Sequence, residues 1–488
     1  MTTSVSSAET NLVVAEPAAP PVPASPSQRG GVYRIRHTLP SRFAFLVICI
    51  AIVLSALAYG TVHYWALGLF NLGGLTLLVL WVLDAWRLGN LRVNKNLLQL
   101  PLLGALILGI VQLLPLREVT APGMTSSLSF DPNSTRLVLV QLASLLIYFS
   151  ATLVFIDTPH RLRVMVRTIM VFGFCLALFG LTQSITSPTR VYWMRELNQS
   201  TAFGPFINRH HFAGYMELTI ALPLGLLFAG AVDKEKRLLY LFIAGLMGVA
   251  LVMTTSRGGI ISLVAEVLFL TIVTAIWRKP SERRRTRIGR LKLVASRLAL
   301  AGVLLFSLFL GVILLGGEFS LARFIDTVNT NDPTTGRAHF WAVTLEIIKA
   351  HPYVGTGLGA YGVVYTRFDT RNGLFRLEQA HNDYLQVLSD GGIIGAALAV
   401  GFVALLFYKA LQRAKSRDDF RRGVALASLS GCFAVLVHSF FDFTLHTTSN
   451  ALLFLVLAAM ATMNGRVEDA PRKRRKSSRT NTDSDKGD

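Results

Sequence analysis

The stretch "IIGAALAVGFVALLFY", residues 393–408, contains no charged residue. Its length and composition are typical of a helix that crosses the ~30 Å hydrocarbon core of a membrane. Similar apolar runs recur along the 488-residue chain, of which 52% is hydrophobic and 16% charged. The sequence therefore predicts an all-α, polytopic membrane protein with about twelve transmembrane helices, at residues 43–60, 65–86, 97–115, 137–156, 164–183, 212–232, 238–254, 259–277, 298–316, 392–408, 424–440 and 450–463.

The net charge of +20 is a second feature of the chain, and by itself it suggests a nucleic-acid partner. Its distribution argues against that partner. If the N-terminus lies inside the cell, 36 of the 48 lysines and arginines fall in inside connections and 12 in outside ones. This bias follows the positive-inside rule, so we predict that both termini are cytoplasmic and that the chain binds no nucleic acid.

The spans divide the chain into three parts. Residues 1–42 are rich in Pro, Ala and Ser and are predicted to be a disordered cytoplasmic tail. Residues 43–463 form one transmembrane domain, and 464–488 form a basic cytoplasmic tail. The only long outside connection is 317–391. The three cysteines lie inside spans with no pairing pattern, which indicates neither a disulfide framework nor a zinc site.

The long loop contains a predicted helix and a glycine-rich stretch. Phe340, Val343 and Ile347 recur at helical spacing, and the pair His351–Pro352 should end that helix. The following "GTGLGAYG" matches the spacing of a dinucleotide-binding turn. That motif requires a surrounding βαβ unit, so we interpret these glycines as points where the backbone passes close to a helix or ligand.

The segment "HNDYLQVLSDGGIIG", residues 381–395, leads from this loop into the tenth span. His381, Tyr384, Leu385 and Leu388 have the spacing of one helix face, which predicts that His381 lies on a helix and points toward protein and lipid. The glycines at 391 and 392 should break that helix before the membrane.

Three arginines occur in separate outside connections: Arg209, Arg257 and Arg337. Guanidinium groups bind phosphate oxygens through paired hydrogen bonds, so these three together could hold one phosphate or pyrophosphate. Arg257 is the most unusual, because it occupies a connection of a few residues at the membrane surface. Its alternative role is snorkelling to water or lipid headgroups.

Histidine adds acid–base chemistry to this outer face, since an imidazole with its ordinary pKa near 6.5 accepts a proton from a hydroxyl at neutral pH. No His-x-x-x-His or Asp-x-Asp pattern of a metal site occurs there, and paired carboxylates for glycoside hydrolysis are lacking. Arginines and histidines together favour transfer from a phosphate-linked donor to a hydroxyl acceptor.

These residues resemble the O-antigen ligase family, a superfamily of bacterial envelope glycan ligases and polymerases. The resemblance covers roughly residues 43–463 and rests on the spans, on the long loop, and on four motifs: "HNDYLQVLSDGGIIG" at 381–395, "SRGG" at 256–259, "GRAHFWAVTLEIIKAHPYVGTGLGAYG" at 336–362 and "FINRHHFAGYMELTIALPLG" at 206–225. In the last motif His210 and His211 stand where an asparagine is common.

The resemblance implies a GT-C-like fold and a metal-independent, inverting glycosyltransferase with no cofactor. Its donor would be an undecaprenyl-diphosphate-linked glycan, and its acceptor a sugar hydroxyl of a glycan or of lipid A-core, on the periplasmic side of the inner membrane. His381 takes the role of general base, and Arg257 and Arg337 bind the diphosphate. Further substrate-binding assignments in the same motifs are Asn208, Arg209, His211, Asn382 and Tyr384.

The sequence is compatible with several functions. Ligation in lipopolysaccharide biosynthesis leads, polymerisation of exopolysaccharide or O-antigen repeat units is close to it, and transfer to protein is a third case. A transporter or flippase of lipid-linked glycans would also have about a dozen spans and an anion site. Such proteins often contain internal repeats, and no repeat is evident here.

Overall fold

The computed structural model describes residues 37–117, 126–197, 202–277, 337–371, 377–464 and 467–468, together with the single residues 295 and 302. From Thr38 onward these residues form one unit. Its helices are α1 Leu39–Leu57, α2 Tyr64–Leu88, α3 Gln99–Gln112, α4 Pro132–Phe155, α5 Pro159–Thr186, α6 Arg209–Phe228, α7 Arg237–Met253, α8 Arg257–Ile276, α9 Arg337–Ala350, α10 Tyr361–Phe368, α11 Asp383–Arg413, α12 Asp419–His438 and α13 Thr448–Thr462. Two-residue strands, β1 Arg190–Val191 and β2 Arg195–Glu196, pair antiparallel.

The predicted fold class, an all-α polytopic membrane protein, is confirmed. Within the described ranges, nine helices are long and apolar enough to cross a membrane: α1, α2, α4, α5, α6, α7 with the turn before it, α8, α11 and α12. The predicted spans at 97–115 and 450–463 correspond to the shorter apolar helices α3 and α13. The predicted span at 298–316, the two tails and residues 317–336 of the long loop lie almost wholly outside the described residues.

The helix starts follow from local capping chemistry. Side chains of Thr38, Asp131 and Thr158 accept hydrogen bonds from the first-turn amides of α1, α4 and α5, and a proline is the first or second residue of each helix. Proline fits the first helical turn, where its missing N–H leaves no intrahelical bond unmade. The starts of α6, α8 and α11 are capped in the same way by Asn208, Ser256 and Asn382.

Helix α6 is the centre of the bundle, since nearly every residue from His211 to Phe228 is buried. It packs most extensively against α12 and also contacts α5, α7, α8 and α13. Between α6 and α12, Nδ1 of His438 donates to Oε1 of Glu217 at 2.7 Å, and both side chains are fully buried. Gly258 of α8 makes room for this pair, because a Cβ there would lie 2.6 Å from the His438 ring.

Several basic residues that the sequence analysis used only to predict topology also connect elements of the bundle. Arg92 bonds to Asp84 at 2.7 Å and to Asp157 at 2.9 Å, which joins α2 to the connection between α4 and α5. Buried Arg421 and Arg422 donate to carbonyls that follow α13 and α6, those of Met463 and Ala229. Arg421 and Arg422 therefore cap the C-termini of α13 and α6 as well as carrying positive charge.

Helix α11 is broken where the paired glycines predicted it. Gly392 has φ 60° and ψ −161°, and the loop around Pro352–Gly359 fills the gap. Ile393 donates to the carbonyl of Pro352 at 2.8 Å, while the amides of Thr356 and Gly357 donate to the carbonyls of Ser389 and Asp390. The loop thus satisfies the backbone groups that the break leaves open, as required away from water. The glycine-rich stretch has a packing role, as interpreted from the sequence.

The remaining sequence expectations for the loop and the cysteines have mixed outcomes. Helix α9 ends at Ala350, directly before the predicted stop, and buries Val343 and Ile347. The three cysteines are free, as expected. Cys175, however, is exposed on the surface of α5, so not all three lie in the interior.

Gly392→Ala is expected to destabilise the protein. A Cβ at this position would collide with the backbone carbonyl of Tyr353, and the left-handed φ costs about 1–3 kcal/mol for a side chain. Thermal unfolding of the detergent-solubilised protein should show a clear fall in Tm. The control is Gly401→Ala in the same helix, where a Cβ meets nothing within 4 Å and Tm should stay or rise. Equal melting of the two variants would contradict the assigned role of the break.

Glu217→Ala is expected to lower stability by about 3–5 kcal/mol, because it leaves the fully buried His438 without its partner. The matched control is Glu196→Ala, whose ion pair with Arg190 is about half exposed and should contribute less than about 1 kcal/mol. Denaturant unfolding in micelles measures both. A Glu217 variant as stable as the Glu196 variant would show that the pair does not fasten α6 to α12.

Candidate active site

Four parts of the chain meet around the carboxylate of Asp442, which follows the end of α12. Oδ1 of Asp442 lies 3.3 Å from Nδ1 of His381, and Oδ2 lies 3.3 Å from Nη2 of Arg337. Nδ1 of His210, at the start of α6, lies 3.8 Å from the same Oδ2. We call these four residues, Asp442, His381, Arg337 and His210, the Asp442 cluster.

Asp442 is the common partner in this cluster and is 1% exposed. Burial alone would raise the pKa of its carboxyl group. The hydrogen bond with His381 and the charges of His210, Arg337 and His381 outweigh burial and hold that pKa well below its usual range. Asp442 is therefore a fixed negative charge that orients the cationic and hydrogen-bonding groups around it.

His381 does not lie on a helix, which corrects the predicted helix face. It has a left-handed φ of 51°, and α11 begins only at Asp383, after the cap Asn382. Such a conformation is rare for a residue with a side chain and concentrates at functional sites. The imidazole contacts Asp442 and lies between the rings of Phe340 and Phe443 at centroid distances of 6.3 and 4.8 Å.

The hydrogen bond to Asp442 also fixes the tautomer of His381. Nδ1 carries the proton that the carboxylate accepts, so Nε2 carries the lone pair. Among the described residues no protein group is paired with Nε2, and the side chain is 27% exposed. His381 therefore presents a basic nitrogen to the outside of the cluster.

Arg337 begins α9 and bridges to the segment after α12. Its Nη1 donates to the carbonyl of Phe441 and its Nη2 to Asp442, and the side chain is 20% exposed. Part of the guanidinium thus neutralises Asp442 and part remains at the edge of the cluster. The structure brings Arg337 and His381 together through one carboxylate, although 44 positions separate them in the sequence.

The other two arginines adjoin the cluster through the connection between α7 and α8. Nη1 of Arg209 donates to the hydroxyl of Thr255 at 2.8 Å, and Nδ1 of His210 lies 2.8 Å from the hydroxyl of Ser256. Arg257 follows directly as the first residue of α8 and is half-buried. The three outside arginines therefore occupy one region at the starts of α6, α8 and α9.

The further substrate-binding residues predicted from the motifs make mainly local contacts in the structure. Asn208 and Asn382 use their side-chain oxygens to cap α6 and α11. Tyr384 donates its hydroxyl to the carbonyl of Leu436 at 2.6 Å, and its ring packs at a tilt against the exposed Phe440. His211 is 7% exposed and packs edge-on against Phe443, so it lies behind the cluster.

Sequence reasoning missed Asp442 and His210 as site residues. Asp442 had a readable signal, because it is the only acidic residue in the outside connection between the last two predicted spans. His210 is adjacent to the predicted His211, and because adjacent helix positions diverge, the sequence did not indicate which of the two histidines faces the site. In the described part of the chain no group of three or more His, Cys, Asp or Glu side chains is arranged to hold a metal, and metal independence remains a prediction.

Comparison with known proteins agrees with the resemblance seen in the motifs. Residues 240–400, which include Arg257, Arg337 and His381, match the family model described as O-antigen ligase. The chain is also 27% identical over 292 residues to an O-antigen ligase from Pseudomonas aeruginosa, a match that covers 58% of this chain. The chain spans 61% of that relative's length. The resemblance to the O-antigen ligase family that the motifs indicated is therefore confirmed.

Proposed function

We propose that this protein transfers a glycan from an undecaprenyl-diphosphate lipid to a sugar hydroxyl at the periplasmic face of the bacterial inner membrane. The acceptor in this proposal is lipid A-core or a related surface glycan, and residues 1–42 and 464–488 lie on the cytoplasmic side. The observation that carries the proposal is the Asp442 cluster, where an open histidine nitrogen lies beside a guanidinium on one carboxylate. The match of residues 240–400 to the O-antigen ligase family model supports it.

His381 is the general base in the proposed reaction. Its Nε2 takes the proton of the acceptor hydroxyl as the oxygen attacks the anomeric carbon. The bond from that carbon to the phosphate oxygen breaks, and its electron pair stays on the diphosphate. Attack opposite the leaving group inverts the anomeric centre. Asp442 stabilises the imidazolium that forms, in the way a buried carboxylate supports a catalytic histidine.

Arg257 and Arg337 bind the lipid diphosphate, with Arg209 beside them. Arg337 lies on the Asp442 carboxylate, and Arg209 and Arg257 lie at the starts of the neighbouring helices α6 and α8, so this region offers guanidinium groups for an anionic donor. A lipid diphosphate is already an activated leaving group, so positioning and charge stabilisation are the main requirements of the site. The membrane delivers the donor, and the mechanism assigns no step to a metal or cofactor.

His381→Ala and Arg257→Ala are expected to leave the protein folded and inserted but to lower glycan transfer by at least about 10²-fold, the usual contribution of one acid–base or charge-stabilising group. The assay is transfer by purified full-length protein from a lipid-diphosphate glycan donor. Controls are the exposed His160→Ala and the half-exposed Arg190→Ala, both expected to act like wild type. Normal transfer by His381→Ala would show that His381 is not the general base.

A deletion strain distinguishes the ligase from its alternatives through what accumulates. Loss of a ligase leaves long glycan on its lipid carrier at the periplasmic face, which is the expected result. Single repeat units on the carrier would instead indicate a polymerase of the same family. Accumulation on the cytoplasmic face would indicate a flippase and contradict an enzyme at this site. Complementation with wild-type and His381→Ala genes shows that the phenotype comes from this chain.

A further inference from the structure

Two short segments cross at the site, and each supplies one histidine and one aspartate. "HND" at 381–383 precedes and begins α11, and "DFTLH" at 442–446 follows α12. His381 pairs with Asp442, and His446 pairs with Asp383. The crossing creates two His–Asp dyads, of which the proposed mechanism uses only the first.

The second dyad has close contacts. Nδ1 of His446 lies 2.8 Å from Oδ1 of Asp383. Oδ2 of Asp383 accepts from the hydroxyl of Ser439 at 2.7 Å and from the amide of Leu445 at 3.4 Å. Asp383 therefore has other donors for its second oxygen, and its amide is also bonded, to the carbonyl of Ser439. These hydrogen bonds hold the two segments together without His446.

Both histidines are presented in the same way. In each dyad Nδ1 is held by a carboxylate, and among the described residues no protein group is paired with Nε2. The side chain of His446 is 32% exposed, against 27% for His381. Because His381 and Asp383 are two residues apart, the Cα atoms that anchor the two dyads on this segment are within about 7.6 Å of each other.

The surroundings of His446 favour its protonated form. Burial alone would lower the pKa of His446, but the hydrogen bond with Asp383 and the charges of Asp383 and Asp390 raise that pKa above its ordinary value. Asp383 and Asp390 belong to α11. Among the other elements in contact with the turn Thr444–His446, α12 ends with His438 and α13 has no titratable residue. The first half of α6 carries Arg209, His210, His211, Tyr215 and Glu217, of which Glu217 pairs with His438.

We propose that His446 is a second acid–base residue, which donates its Nε2 proton to the phosphate oxygen that leaves the anomeric carbon. His381 takes one proton from the acceptor hydroxyl in the same reaction, and His446 gives one to the lipid diphosphate. Solvent then removes the proton from His381 and returns one to His446, so both residues are restored. The inference rests on the proposed transfer from a lipid diphosphate.

His446→Asn separates this role from a structural one. The asparagine amide reproduces the Nδ1 donor toward Asp383 but has no group at the position of Nε2. We expect kcat to fall about 10²-fold with a KM near that of wild type, because a proton donor acts in the transition state. His351→Asn is the control, since His351 follows the end of α9 and packs on Phe130, and it should leave kcat unchanged.

The pH profile supplies an independent readout. Wild-type kcat should fall as pH rises and His446 loses its proton, and this alkaline decline should be absent from the residual activity of His446→Asn. An undiminished kcat in the folded variant overturns the inference, as does a wild-type profile with no alkaline decline, which can be measured even if the variant does not fold. If wild-type protein transfers nothing from a lipid-diphosphate donor, the proposed function itself fails.

Discussion

The site depends on the end of α12, where a helix stops and its last carbonyls need donors. These carbonyls and those of the following turn accept hydrogen bonds from residues that the long loop brings in. Leu436 accepts from Tyr384, and Ser439 from the amide of Asp383. Phe440 accepts from Asn382, and Phe441 from Arg337. Unpaired carbonyls are costly away from water, so the requirement to satisfy them fixes the start of α11 and the start of α9 against Asp442.

A second set of contacts holds the segments that form the site in place. The break in α11 at Gly392 receives the loop that follows α9, and Gln112 of α3 bonds to both the loop and α11 at the carbonyls of Val354 and Asp390. On the other side, the Glu217–His438 pair joins α12 to α6, one turn before Asp442. Contacts with α6 therefore hold the end of α12 in place. Contacts with α3 and α11 hold the loop that supplies Arg337 and His381.

Much of the fold was predictable because membrane spans are set by composition and length. Ten of the predicted spans correspond to helices in the described residues with ends only a few positions away. An eleventh, the span predicted at 392–408, lies within the longer helix α11. Helix α9 was predictable from its spacing and its His351–Pro352 stop. The prediction that His381 lies on a helix was wrong, because hydrophobic periodicity does not reveal a residue with a left-handed φ before a helix cap. Asn382, a residue type that favours the cap position, did indicate that the helix starts after it. Periodicity also carries no information on contacts between distant positions, so the pairing of His381 with Asp442 had to come from the structure.

The central claim is that Asp442 and His381 act as one unit in glycosyl transfer. A double-mutant cycle with Asp442→Asn and His381→Ala, read as kcat/KM of the purified full-length protein with a lipid-diphosphate donor, tests it directly. We predict that each single change lowers kcat/KM by at least about 10²-fold and that the double variant is no worse than the worse single one, since groups acting as a unit are strongly non-additive. Wild-type activity in Asp442→Asn, or losses that multiply in the double variant, would contradict the account.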